Sequence, residues 1–234
     1  MGGLQDSGIA GRGRREGADA ARVVARRVSG DRVVTLYALK PRFQALLRPL
    51  VGGLAQSGIT ANQVTIAAAL GSIAVAAAII VWIDHPAVFL LLPIWLFLRM
   101  ALNAIDGMLA REFAQKSRLG AYLNEIGDVV SDAALYVPFA LVPPFGVAAV
   151  GLVIALSILS EFAGVLGPGV GASRRYDGPL GKSDRAFVFG ALGLWIGLGL
   201  PLPHWTFWLM PLLALLLALT TVNRIRAGLA EPPS

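Results

Sequence analysis

Val64-Thr-Ile-Ala-Ala-Ala-Leu-Gly-Ser-Ile-Ala-Val-Ala-Ala-Ala-Ile-Ile-Val-Trp-Ile83 runs for twenty residues without a charge. A helix needs roughly 20 mainly apolar residues to cross a hydrocarbon core about 30 Å thick, so this stretch reads as a membrane span and sets the class of the chain. Working outward, Ala87–Leu102, Ile126–Val142, Phe145–Leu166, Ala186–Leu200 and Trp205–Val222 read as five more spans. Turn signals separate them: Asp84-His85-Pro86, Pro143-Pro144, Gly167-Pro168-Gly169 and the Pro201 to His204 segment. Bulk composition agrees. The chain is 56% hydrophobic and 15% charged, where a soluble domain carries about a quarter charged residues. The expected fold is all-α: a polytopic membrane protein of six transmembrane helices with an N-terminal interfacial amphipathic helix.

Charge placement orients this fold. Of 20 Lys and Arg, ten precede the first span, three lie at 111–118, four at 174–185 and two follow the last span. Only Arg99 falls inside a span, and the alternate loops hold none. The positive-inside rule therefore places both termini and the two basic loops in the cytoplasm, as an even number of spans requires. The expected location is the inner (plasma) membrane, multi-pass. There is no cysteine, which excludes disulfides, thiolate metal sites and a cysteine nucleophile. The N-terminus lacks the apolar core of a cleaved signal and is expected to be retained.

Residues 1–30, rich in Gly, Ala and Arg, read as a disordered basic tail whose arginines meet anionic lipid headgroups. Residues 31–61 read as an interfacial helix and linker: beyond Pro41, the residues Phe43, Leu46 and Leu47 share a face, with Lys40, Arg42 and Arg48 toward water. This segment is a membrane anchor, or its cations help form a substrate access route. Thr60-Ala61-Asn62 is expected to cap the first span. Residues 62–226 form the membrane domain and 227–234 a tail.

The chemistry is concentrated between Asn103 and Asp132. Asn103, Asp106 and Ala110 share one face of the second span, with Arg111 beside it; Gly120, Asn124, Asp128 and Asp132 share one face of the third. A short loop joins these spans, so the two polar faces are expected to meet near the cytoplasmic end. Ionisable groups at that depth are costly and usually functional. Facing carboxylates repel or take up protons unless a cation neutralises them, and an all-oxygen donor set favours Mg2+, Mn2+ or Ca2+. Gly107, Ala110 and Gly120 alone read as close helix packing. Beside the acids they leave room for a nucleotide or diphosphate.

This pattern resembles the signature of the CDP-alcohol phosphatidyltransferase family: Asp, two residues, Asp-Gly, two residues, Ala-Arg, about eight residues, Gly, three residues, Asp, three residues, Asp. Asp106, Gly107, Ala110, Arg111, Gly120 and Asp128 match with every spacing kept, while Asn103 and Asn124 stand where the family usually has Asp. Thr60-Ala-Asn-Gln-Val-Thr65 is similar to the stretch that opens the family's first span, and Gly181-Lys-Ser-Asp-Arg185 to the one that opens its fifth. The resemblance covers roughly residues 33–226.

The resemblance implies a metal-dependent transfer of a phosphatidyl (phosphoalcohol) group from a CDP-linked lipid donor, such as CDP-diacylglycerol, to a small alcohol or alcohol-phosphate acceptor, with release of CMP. By the same resemblance Asn103, Asp106, Asn124 and Asp128 are metal-site residues, Asp128 is also the general base, Gly107 and Ala110 admit the nucleotide beside Gly120, and Arg111 pairs with phosphate or braces Asp106. The implied cofactor is Mg2+ or Mn2+, one or two ions. The two asparagines halve the negative charge, so Asp132, one turn beyond Asp128, is a candidate to restore it; one ion only, or none in an inactive relative, are the other outcomes. Glu125 and Glu161 are further candidates, and Glu161 is equally an internal partner for Arg99 or for a loop arginine.

Arg174, Arg175, Lys182 and Arg185, with Arg118, satisfy the positive-inside rule alone or form an anion pocket for a phosphorylated acceptor; Lys182 and Arg185 are favoured and Arg118 is included. The tryptophans read as interfacial anchors or packing, and His85 and His204 as uninvolved. Membrane lipids are partners, a homodimer is implied by the resemblance, and nucleic acid is not needed to explain the charge. An ion-coupled carrier and a catalytically degenerate relative are the competing readings.

Overall fold

The structure, a computed structural model, describes residues 36–232, with side chains from residue 43. The basic tail expected at 1–30 lies outside the described residues. The chain divides into two units, 1–46 and 47–234. The second unit comprises the end of α1 (Leu36–Gln56), then α2 (Ala61–Val81), α3 (Leu91–Glu112), α4 (Arg118–Tyr136), α5 (Val147–Leu166), α6 (Lys182–Gly197) and α7 (Leu209–Ala230). Short 3-10 turns lead into α3 and α7 and follow α4 and α5. No strand occurs among the described residues.

Among the described residues four helical stretches are long and apolar enough to cross a membrane: Ala61–Val81, Pro86–Glu112, Val147–Val170 and His204–Ala230. α4 falls outside this set because Arg118, Glu125, Asp128 and Asp132 interrupt it, and α6 because it has only 16 residues. The second span is longer than its apolar core, since α3 continues as one helix through the polar motif to Glu112.

Local signals set the ends of the helices around the site. Thr60 is the N-cap of α2 in a reciprocal capping box: its hydroxyl accepts from Gln63 N–H at 3.3 Å, and Thr60 N–H donates to Gln63 Oε1 at 2.9 Å. Ser117 caps α4, its hydroxyl accepting from Gly120 N–H at 2.9 Å. At the start of α6, Gly181 N–H donates to Asp184 Oδ2 at 2.8 Å.

α2 is the hub. It packs along both α3 and α4, while α3 and α4 make few close backbone contacts with each other. Small residues allow this. Gly71 leaves the space that the Trp95 ring of α3 fills, and Trp95 Nε1 donates to Ser72 Oγ at 2.9 Å. Gly127 of α4 lies against Thr65 and Ala69. The backbones of α3 and α4 stand apart with α2 packed along both, and their polar faces meet through side chains, Arg99 and Asn103 of α3 reaching Asp128 of α4.

Beyond this layer, α5 packs on α7, and α6 on α3 and on the Pro86–Leu90 turn, where Gly193 and Gly197 face Leu92 and Leu90. Phe89, Tyr136, Phe139 and Phe189 form the buried aromatic centre, with Tyr136 stacked on Phe189 at 3.8 Å between centroids. Within α1, Val51 is fully buried against Ala61, Val64, Ile105, Met108 and Leu109, and Arg48 pairs with Glu112 at 3.0 Å. The helix thus continues through the expected linker and packs on protein there.

The loop before α6 is anchored at both ends. Leu180 N–H donates to Thr220 Oγ1 at 3.1 Å. Glu231 accepts from Ser173 N–H at 3.0 Å and from Arg175 Nη1 at 2.7 Å. These bonds, the Ser173 N–H first, hold the Glu231 carboxyl below the usual carboxylate range.

Candidate functional site

α3, α4, α6 and α7 bring charged side chains to one place, and the result is two adjoining cavities. The first, about 390 Å³, is lined by Asn62 and Thr65 of α2, Asp106, Gly107, Ala110 and Arg111 of α3, and Gly120 and Asn124 of α4, among others. The second, about 350 Å³, is lined by Asp128 and Asp132 of α4, Glu161 of α5, Lys182 of α6, Arg174 of the loop and Arg224 of α7, among others. Glu125 lines both and is held by Arg174, with Nη2 to Oε2 at 2.9 Å and a second, closer contact between Nη1 and Oε1.

Asp106 is buried in the wall of the first cavity and accepts a hydrogen bond from Thr65 Oγ1 at 2.8 Å. Among the described residues it is a buried carboxylate in no ion pair. The cavity is open because its floor is small. A Cβ on Gly107 would meet the Arg111 guanidinium at 3.0 Å, and one on Gly120 would meet Asn62 Oδ1 at 2.7 Å. Oxygen donors of Asp106, Thr65, Asn62 and Asn124 thus share one space with the exposed Arg111, an arrangement that suits a divalent cation together with a phosphate.

Asp128 is differently placed. Its Oδ1 accepts from Arg99 Nη2 at 3.1 Å and from Asn103 Nδ2 at 3.4 Å, and its Oδ2 is ion-paired with Lys182. Asp132 lies one turn deeper, with Oδ1 on Arg99 Nη1 at 2.5 Å and Oδ2 on Arg185 Nη2 at 3.0 Å. Glu161 pairs with Arg185 at 2.9 Å and with Arg224 at 3.4 Å. Three carboxylates are thereby met by four cations contributed by α3, α6 and α7.

Several expectations change on this geometry. Asp132, a candidate metal ligand, has a guanidinium on each carboxylate oxygen, Arg99 on Oδ1 and Arg185 on Oδ2. Arg185, favoured for the acceptor, is buried between Asp132 and Glu161 and serves the framework. Glu161 pairs with Arg185 and Arg224, while Arg99, the other partner expected for it, goes to Asp128 and Asp132. Arg118 is exposed and lines neither cavity. Lys182 does line the second cavity. Asn103 meets Asp128 through its amide nitrogen, so on that contact it is a donor. Among the described residues no three His, Cys, Asp or Glu stand together as a metal site; the oxygen-lined surroundings of Asp106 suit a divalent ion, whereas Asp128 is ringed by cations.

Sequence reasoning gave no site role to Arg99, Arg224 or Thr65. A signal for two of them was present: Arg99 is one turn before Asn103, and Thr65 is one turn from Ala61 on the capped end of α2, both facing the motif.

Comparison with known proteins bears on this arrangement. Residues 58–222 match the family model described as CDP-alcohol phosphatidyltransferase. The inner membrane protein YnbA of Escherichia coli (strain K12) is 47% identical over 199 residues, which is 84% of this chain and 97% of that protein. Among solved structures, the phosphatidylinositol phosphate synthase of Mycobacterium tuberculosis with CDP-DAG bound has a TM-score of 0.66 at 24% identity, over 79% of this chain and 94% of that one. The same synthase in complex with manganese and citrate has a TM-score of 0.65 at 23% identity, over 79% and 89% of the two chains. At that identity the likeness speaks for the fold.

Proposed function

The chain belongs to the CDP-alcohol phosphatidyltransferase family, and from that premise we propose that it transfers a phosphatidyl group from a CDP-linked lipid to a small alcohol or alcohol phosphate at the cytoplasmic face of the inner membrane, releasing CMP. Family membership makes it a membrane transferase of phospholipid biosynthesis; the donor, the acceptor and the roles of single residues are this reading. The observation that carries it is the pairing of a small-floored, oxygen-lined cavity at Asp106 with a cation-lined cavity at Asp128, on the family's motif and at its spacing.

In this reading the CDP diphosphate occupies the first cavity, over Gly107, Ala110 and Gly120, with Arg111 gripping a phosphate oxygen. Asp106 would hold a divalent ion, Mg2+ or Mn2+, which when bound would supply charge neutralisation of the diphosphate and of the departing CMP. The acceptor hydroxyl comes from the second cavity. Its oxygen attacks the lipid-bearing phosphorus, the bond from that phosphorus to the CMP oxygen breaks, and Asp128 takes the hydroxyl proton as general base. Lys182 and Arg174 give the acceptor cavity a positive wall suited to a phosphorylated alcohol. The synthase solved with CDP-DAG and, separately, with manganese supports the donor and ion by likeness of fold.

Six spans belong to the same reading. α4 has 19 residues and α6 has 16, about 28 Å and 24 Å of helix. Their charges face protein partners, which is how ionisable side chains are tolerated at depth. Both termini are then cytoplasmic, with α1 near the interface and a homodimer as the assembly.

The test is CMP release from CDP-diacylglycerol by purified protein with Mn2+ or Mg2+ and a panel of acceptors. Release is expected with at least one polar or phosphorylated alcohol, and Asp106→Ala or Asp128→Ala is expected to lower it by roughly 100-fold or more. Equal release from the variants, or none with any acceptor, overturns the reading.

A further inference from the structure

The two sides of the site meet their negative charge in different ways. Asp106 has a hydroxyl against it and open, oxygen-lined space in front. Asp128 has a guanidinium and an amide nitrogen on one oxygen and an ammonium on the other. A divalent ion bound directly to a carboxylate sits at about 2.0–2.1 Å from its oxygen; at Asp128 it would share Oδ2 with the Lys182 ammonium and lie beside the Arg99 guanidinium, so two like charges repel it. The surroundings oppose that further, since Asp128, Asp132 and Glu161 already answer to Arg99, Lys182, Arg185 and Arg224.

Asn103 fits the same logic. Its amide nitrogen donates to Asp128, whereas an aspartate there would place a second carboxylate against the first and call for an external cation. Asn103 is then matched to a site whose second positive charge is covalently built in.

We propose that Lys182, backed by Arg99, is the resident cation at Asp128, and that the site accordingly takes one divalent ion, at Asp106, where the family resemblance allows two. The identity of the diphosphate ligand rests on the transfer reading above; the ion count does not.

Mn2+ titration of the full-length protein in nanodiscs, followed by the paramagnetic resonance signal of unbound Mn2+, tests this. One Mn2+ per chain is expected. Asp106→Asn should weaken it about tenfold or more, while Asp128→Asn should leave stoichiometry and affinity unchanged. The combination Asn103→Asp, Asn124→Asp and Lys182→Met should take up a second ion, with dipolar broadening between the two. A wild-type count of two or of none overturns the proposal, as does loss of the ion in Asp128→Asn. The wild type and the two single variants decide the matter if the combined variant does not fold. CMP release on the same preparation separates the readings: one bound ion without release fails the transfer function and leaves the ion assignment intact.

Discussion

Asp132 shows what a buried carboxylate does when its neighbours are arginines. Both oxygens are occupied, one by a side chain from α3 and one from α6, so this residue ties two helices to α4. Removing one partner from such a cluster leaves the others buried and uncompensated, at a cost of about 3–5 kcal/mol. Asp132→Ala is therefore expected to lower the thermal unfolding midpoint sharply in detergent, and by the same amount with Mn2+ or with a chelator present. A loss confined to Mn2+-containing buffer would return Asp132 to the metal site. The spacing of Asp128 and Asp132 marks the pair as functional, but a four-residue period cannot say which oxygen faces a cavity and which faces a guanidinium. That depends on Arg185 and Arg99, which lie 53 and 33 residues away in sequence.

At the level of elements, the loop before α6 depends on Gly178. Its φ of +131° is one that side-chain-bearing residues rarely adopt, and a Cβ there would sit 2.7 Å from Thr220 Cα. The neighbour is helix backbone, which cannot move aside. Gly178→Ala is expected to undock the loop from α7 at a cost of about 1–3 kcal/mol, read as faster tryptic cleavage after Arg174 and Arg175. Unchanged cleavage would mean that this contact does not hold the loop. Helix positions were largely legible in the sequence because hydropathy, Thr60, Ser117 and the proline turns each carry a local signal. The separation of α3 from α4 was not, because it is imposed by α2 through Gly71, Ser72 and Ala69, residues that read only as part of an apolar run. The continuation of α1 to Gln56 was missed for a similar reason: Pro49, Gly52 and Gly53 argue locally for a break, and the burial of Val51 outweighs them.

For the whole molecule, the basic loops give a topology that can be measured directly. The chain has no cysteine, so single substitutions report without background. Lys116→Cys and Tyr176→Cys are expected to react with a membrane-impermeant thiol reagent only after the inner membrane is opened. His85→Cys and His204→Cys should react in intact spheroplasts. Labelling of all four from the same side would end the six-span reading. The charge count alone indicated this orientation, since it needs only the number of lysines and arginines in each loop. The depth of the site is a different matter, because it is set by which of those cations turn inward. Arg185 and Arg224 look like ordinary loop charges in sequence and are buried in the structure.

The same inward-turned charges bear on how the protein is made. Taken singly, α4 carries Asp128 and Asp132 in its interior, where a charge near the centre of an inserting helix costs about 2.5–3.5 kcal/mol on the biological scale, and α6 begins with Lys182 and Arg185. Neither segment has enough aliphatic length to offset that. Each is compensated by side chains that emerge from the ribosome at other times: α4 by Arg99 before it and by Lys182 and Arg185 after it, and α6 by Asp128, Asp132 and Glu161 before it. On the six-span reading, biogenesis must therefore hold α4 at the translocon, or beside a chaperone, until α6 arrives with Lys182 and Arg185 to complete its charge balance.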